Sequence, residues 1–177
     1  MDRITLISTG GTLEKSYSEK AGGVHNSASK VEQYLGQLRL PDVTIETIRL
    51  MNKDSLEMTD GDRQFILAAV RQHEIGAKGI VITHGTDTLV ETGKVLAAGL
   101  PNLAVPIILT GAMTPLGFEG SDGLQNLTES LLAARLLPAG VYLVMHSQVF
   151  PIHDVYKDRE LARFRRLSSA PPPPASA

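Results

Sequence analysis

The chain has 177 residues, a formal net charge of −2 and no cysteine. That length fits one domain with a sheet covered on both faces, and the missing cysteine excludes disulfides, thiolate metal sites and a cysteine nucleophile. Balanced charge offers no field to recruit nucleic acid or an anionic membrane, so neither is expected as a partner. No apolar run approaches the roughly 20 residues that span a bilayer. Met1-Asp2-Arg3 runs straight into a strand pattern with none of the marks of a signal peptide, so a cytoplasmic protein is expected.

In chain order, apolar β-branched runs predict strands at Ile4–Ser8, Val43–Leu50, Gly79–Thr83, Pro106–Thr110 and Val141–His146. Helical spacing recurs between them. Val31, Tyr34, Leu35 and Leu38 fall on one helix face. Phe65, Ile66, Ala69, Val70 and His73 form another, entered through Thr59-Asp60-Gly61-Asp62, which can cap the helix start. Leu89, Val90, Leu96 and Ala97 mark a third helix. Leu124, Leu127, Leu131 and Ala134 mark a fourth, entered through Ser121-Asp122. Strands alternating with helices imply right-handed crossovers and a three-layer α/β/α fold with a mainly parallel sheet.

Two segments break this rhythm. Glu14–Ser29 is polar, glycine-containing and long for a simple connection, as functional lids often are. From Ser168 to Ala177 the chain is Pro, Ser and Ala with almost nothing to bury. The domain is therefore expected over 1–167, followed by a disordered or polyproline tail over 168–177 that stability does not need.

Chemistry concentrates in two short turns, Ser8-Thr9-Gly10-Gly11-Thr12 and Thr83-His84-Gly85-Thr86-Asp87-Thr88. Each follows a strand pattern, and in an open α/β sheet ligands bind beyond the carboxyl ends of the strands. Glycine there lets backbone turn sharply and approach a ligand closely. Either turn alone could be a structural turn or a helix cap; two of them after two separate strands point to a small-molecule site. A threonine hydroxyl becomes a nucleophile when a base takes its proton. A lysine amine can do that, whereas a guanidinium keeps its charge. His84 is set aside as that base, because neighbouring side chains on extended backbone point to opposite sides. His25, His73, His146 and His153 show no metal-ligand spacing. The cluster Arg159, Arg163, Arg165 and Arg166 reads as a solvated helix face, with contact to a neighbouring subunit or a phosphate as the alternative.

The stretches Ile4–Leu13 and Gly79–Thr88 resemble the two signatures of the bacterial L-asparaginase/glutaminase family. Asp54–Asp60, Leu109–Pro115, Ser121-Asp122-Gly123 and Asn126-Leu127 extend the resemblance over about residues 2 to 166. It implies a threonine amidohydrolase that converts L-asparagine to L-aspartate and ammonia, with weak glutaminase activity and no metal or organic cofactor. Thr12 matches the nucleophile and Tyr17 the lid tyrosine beside it. Thr86 and Asp87 match the second threonine and its acid, which also meets the substrate ammonium. Ser55 matches a ligand of the substrate carboxylate, and the backbone N–H groups near Gly11 and Thr86 are candidates for the oxyanion hole. Lys157 matches the catalytic lysine on chemical grounds, with Arg165 the competitor by local pattern. Typical members continue into a second domain, which in a neighbouring protomer supplies an acid supporting the first threonine. The resemblance is to short-chain members, so that acid must come from this domain or a partner, and a homo-oligomer (dimer or tetramer) is expected. An ammonia-releasing amidotransferase component and an amino-acid-binding sensor are the alternatives.

Overall fold

The computed structural model describes residues 1–18, 23–26 and 29–169, with side chains over 1–15 and 31–169. Five strands, β1 (Asp2–Gly10), β4 (Val43–Lys53), β5 (Gly79–Thr83), β6 (Pro106–Thr110) and β7 (Gly140–Met145), join the antiparallel edge strand β8 (Gln148–Pro151) in the main sheet. Their order is β4-β1-β5-β6-β7-β8. All other pairings in it are parallel. The three-layer expectation is met.

Why the central strands read as unbroken apolar runs is plain from their burial. Alternate residues of a strand face opposite sides, so Ile80 and Ile82 enter one core while Val81 enters the other. Helices α2 (Asp60–His73) and α3 (Leu89–Gly99) cover the first face; α1 (Ser29–Leu35) and α4 (Gly123–Leu136) cover the second. A parallel sheet covered on both faces needs strands apolar on both sides.

The start of α2 follows its sequence signal. Thr59 and Asp62 form a reciprocal capping box, and Lys53 holds the Asp62 carboxylate at 2.8 Å. That lysine and the cap hold the Asp62 pKa down at about 2. Three helix expectations need correction. Phe65 is 56% exposed, and the buried stripe of α2 is Ile66, Leu67, Ala69 and Val70. Ala97 lies on the exposed side of α3. Helix α1 stops at Leu35, after which turn bonds from Gln37 to Tyr34 and from Leu38 to Leu35 take over.

Beyond the main sheet the chain forms two small hairpins. The expected lid contains β2 (Lys15–Ser18) and β3 (Gly23–Asn26), which pair antiparallel. Strands β9 (Tyr156–Asp158) and β10 (Arg163–Arg165) form the second. The arginine cluster therefore lies on a hairpin and its turn, not on a helix. Arg165 pairs with Asp158 at 3.3 Å, and Arg166 pairs with Asp154 while lying over the Phe150 ring. Nor is Ser168 loose: its N–H and hydroxyl both donate to Asp154, within a short 3-10 turn over Leu167–Ser169. The remainder of the expected tail, 170–177, lies outside the described residues.

Candidate active site

The order β4-β1-β5 places a topological switch at β1. The chain leaves β1 for β4 on one side, then crosses to β5 on the other, and such switch points open a crevice at the strand ends. Ser8 and Thr83 are partners across β1 and β5, so the turns that follow emerge side by side. Their glycines make the approach possible. A Cβ on Gly11, which has φ +86°, would strike the Gly85 backbone. A Cβ on Gly85 would lie 2.5 Å from Ser55 Oγ. Gly10, at φ +101°, takes a left-handed conformation and leaves no room for a Cβ against Lys53. Three segments distant in sequence thus converge on one point.

Thr86 is 5% exposed. Lys157, carried on β9, donates to Thr86 Oγ1 at 2.8 Å and to Asp87 Oδ1 at 2.9 Å. The alternative cation, Arg165, is bound to Asp158 instead. Arg159 also pairs with Asp87 Oδ1 at 3.1 Å, though its side chain is two-thirds exposed. Sequence reading missed this contact, because it assigned that arginine to a helix.

Thr12 opens the 3-10 turn Thr12–Glu14 and is partly exposed. Ser55 is buried, starts the 3-10 turn Ser55–Glu57, and its carbonyl accepts from Thr88 Oγ1 at 2.7 Å. Asp54, just before it, accepts from Lys15 at 2.9 Å. The lysine and the Leu56 N–H hold the Asp54 carboxyl below its usual range. This bond fastens the β2–β3 hairpin to the Ser55 turn. Tyr17 sits on β2 opposite Val24; its side chain lies outside the described residues.

His84 is enclosed and fixed as one neutral tautomer. A carbonyl can only accept, so Nδ1 donates to Gly85 O at 2.8 Å, leaving Nε2 to accept from Thr92 Oγ1 at 2.8 Å. Burial pushes its pKa down to about 4. Both ring nitrogens are thereby occupied. A second polar knot holds the loop after β6. Asp122 accepts from the N–H groups of Met113 and Thr114, and His146 Nε2 lies 2.7 Å from it. Among the described residues, no group of three or more His, Cys, Asp or Glu could hold a metal ion. No described helix is long and apolar enough to cross a membrane.

Two threonine turns that meet beyond the ends of β1 and β5, with a lysine bonded to one of them, form the candidate site. The chain belongs to the asparaginase family: the model described as "Asparaginase, N-terminal" matches residues 3–171. It is 33% identical over 147 residues to the L-asparaginase of Thermococcus kodakarensis, an alignment covering 83% of this chain and 45% of that protein. It is equally similar, 33% over 172 residues, to a component of the Glutamyl-tRNA(Gln) amidotransferase of Methanococcus vannielii, covering 94% of this chain and 40% of the relative. The solved thermostable L-asparaginase from Thermococcus kodakarensis superposes with a TM-score of 0.83 at 31% identity, covering 93% of this chain and 51% of that one. The chain therefore spans about half the length of the relatives it matches.

Proposed function

We propose that the protein hydrolyses the side-chain amide of L-asparagine, giving L-aspartate and ammonia, with weaker action on L-glutamine. The observation that carries this reading is the lysine amine 2.8 Å from Thr86 Oγ1 and 2.9 Å from Asp87, beside the close approach of the two glycine-bearing turns. Thr12 is the proposed nucleophile. Its hydroxyl adds to the amide carbon, the tetrahedral intermediate expels ammonia, and water then releases the acyl group. N–H groups near Gly11 and Thr86 are the proposed oxyanion donors, each commonly worth about 3–4 kcal/mol. Thr86, Asp87 and Lys157 form the proposed proton relay. Asp87 and Ser55 are the proposed ligands of the substrate ammonium and carboxylate, and Tyr17 is the proposed lid over the nucleophile. Glutamine is longer by one methylene, a difference worth only about 1–3 kcal/mol to a pocket.

Ammonia release from asparagine by the purified protein tests the reading. Thr12→Ala and Thr86→Val should each lower turnover by about 10²-fold or more while the protein stays folded. Lys157→Met should do the same, and Lys157→Arg should not restore activity, since guanidinium cannot give up its proton. Retained activity in Thr12→Ala would remove Thr12 as the nucleophile.

One similarity favours a second reading. The likeness to an amidotransferase component runs over 94% of the chain, so ammonia release for a synthetase partner is the alternative. Turnover that appears only with such a partner would select it. Asparagine binding without turnover under any condition would select a sensor instead.

A further inference from the structure

Glu14 is a buried carboxyl that the reaction outlined above leaves without a task. It is 1% exposed and closes the 3-10 turn that begins at Thr12, donating its N–H to Gly11 O at 3.1 Å. Its Oε1 accepts from Ser8 Oγ at 2.5 Å and from Thr83 Oγ1 at 2.9 Å. Its Oε2 has no partner among the described residues. Burying a carboxyl is costly, and here burial outweighs the hydroxyls, the Gly10 N–H and the distant Arg49 charge, raising the pKa. A trio of apolar side chains in place of Ser8, Thr83 and Glu14 would fill the same space without that cost. Packing alone gives no reason for the carboxyl.

Its position does. Ser8 and Thr83 are paired across β1 and β5 on the last rung before both strands open into the threonine turns. One oxygen of Glu14 grips both strand ends, and Glu14 itself lies two residues after Thr12. Thr9 ties the same strands a second time, donating to Thr83 O at 2.7 Å. The backbone between Glu14 and Thr12, and between Thr83 and Thr86, is too short to take up slack.

We propose that Glu14 is a positioning residue: as a shared hydrogen-bond acceptor, not as a charge, it sets the separation of the Thr12 and Thr86 turns. The inference rests on the two-threonine reading of the site.

Three variants test it, read by kcat and KM for asparagine and by amide hydrogen exchange over residues 8–14 and 81–88. Glu14→Leu removes the acceptor and keeps the bulk. It should lower kcat by about 10²-fold, the scale of a misplacement of about 1 Å, with KM little changed. Exchange should quicken in both turns together. Glu14→Gln keeps an acceptor oxygen at the same reach and should rescue both kcat and exchange. Glu14→Asp, one methylene shorter, should not. Unchanged kcat in Glu14→Leu, or failure of Glu14→Gln, would overturn the proposal. Should Glu14→Leu not fold, Thr83→Val decides: it keeps shape and deletes one donor, and an unchanged kcat overturns the clamp. The exchange readout needs no turnover. A wild-type protein that releases no ammonia but shows the coupled exchange response would refute the enzyme reading and leave the clamp standing.

Discussion

His84 shows how a single side chain can carry a pH dependence. Its folded pKa of about 4 lies below the unperturbed 6.5, so the unfolded chain binds the proton more readily. Stability therefore rises with pH across that window. The contribution is fully present above about pH 6.5 and is lost as the pH falls toward 4, on the order of 3 kcal/mol for a shift of this size. Melting temperature measured at about pH 7.5, 5.5 and 4.5, values that bracket this window, should fall steeply in the wild type. His84→Gln, which has no proton to gain, should show a shallower fall. Parallel curves would assign the acid sensitivity to other groups. The same enclosure explains why the imidazole is no base for Thr86, a conclusion that strand alternation reached by a weaker route.

Among the elements, glycines in α2 and β5 should respond to alanine with opposite signs. Gly61 lies in the first turn of α2, where an added Cβ meets only Thr59 Oγ1 at 3.6 Å. Gly61→Ala should stabilise by about 0.4–1 kcal/mol through the unfolded chain's lost freedom. Gly79 starts β5 against α4, where a Cβ would strike the Ala134 carbonyl. Backbone cannot step aside as a side chain can, so Gly79→Ala should destabilise by about 1–3 kcal/mol. Chemical denaturation of the two variants against wild type checks both; equal midpoints would contradict the packing described for α4. The β2–β3 hairpin offers a functional counterpart. Its Lys15–Asp54 pair is about a third exposed, so it adds no more than about 1 kcal/mol to stability. Lys15→Ala should thus leave the melting temperature nearly unchanged. It should raise KM for asparagine several-fold, because it frees the segment bearing Tyr17 from the Ser55 turn. A KM equal to wild type would show that the hairpin is held by other means.

For the molecule as a whole, Leu132 and Leu136 on α4 and Val149 on β8 leave apolar surface exposed, beside a shallow cavity of about 290 Å³. Self-association to a dimer or tetramer is expected, and this apolar strip is one face that a symmetric partner would cover. Light scattering at micromolar concentration reads the mass directly, and a fully active monomer would remove assembly from the proposed function. Much of the architecture was legible without coordinates. Gly79–Thr83 and Pro106–Thr110 coincide with β5 and β6 because strands buried on both faces are unbroken apolar runs. Thr59 announced α2 because a capping box is local chemistry. Phe65 misled, since an amphipathic stripe one residue wide of the true one fits the same periodicity; only the packing of Leu67 into the core that α2 and α3 share distinguishes them.

Local sequence chemistry determined the strands, the helices and the two threonine turns, each read from residues close together in the chain, whereas the crowding at Gly10 and Gly11 comes from Lys53 and the Gly85 backbone. Tertiary structure decided what those turns meet. Lys157 reaches Thr86 across 71 residues of chain, Arg165 is drawn off to Asp158 by the β9–β10 hairpin, and Glu14 finds Thr83 from 69 residues away. No periodicity encodes such pairings. Glu14 meets Thr83 because β5 lies beside β1, and Lys157 meets Thr86 because the β9–β10 hairpin comes against the turn after β5.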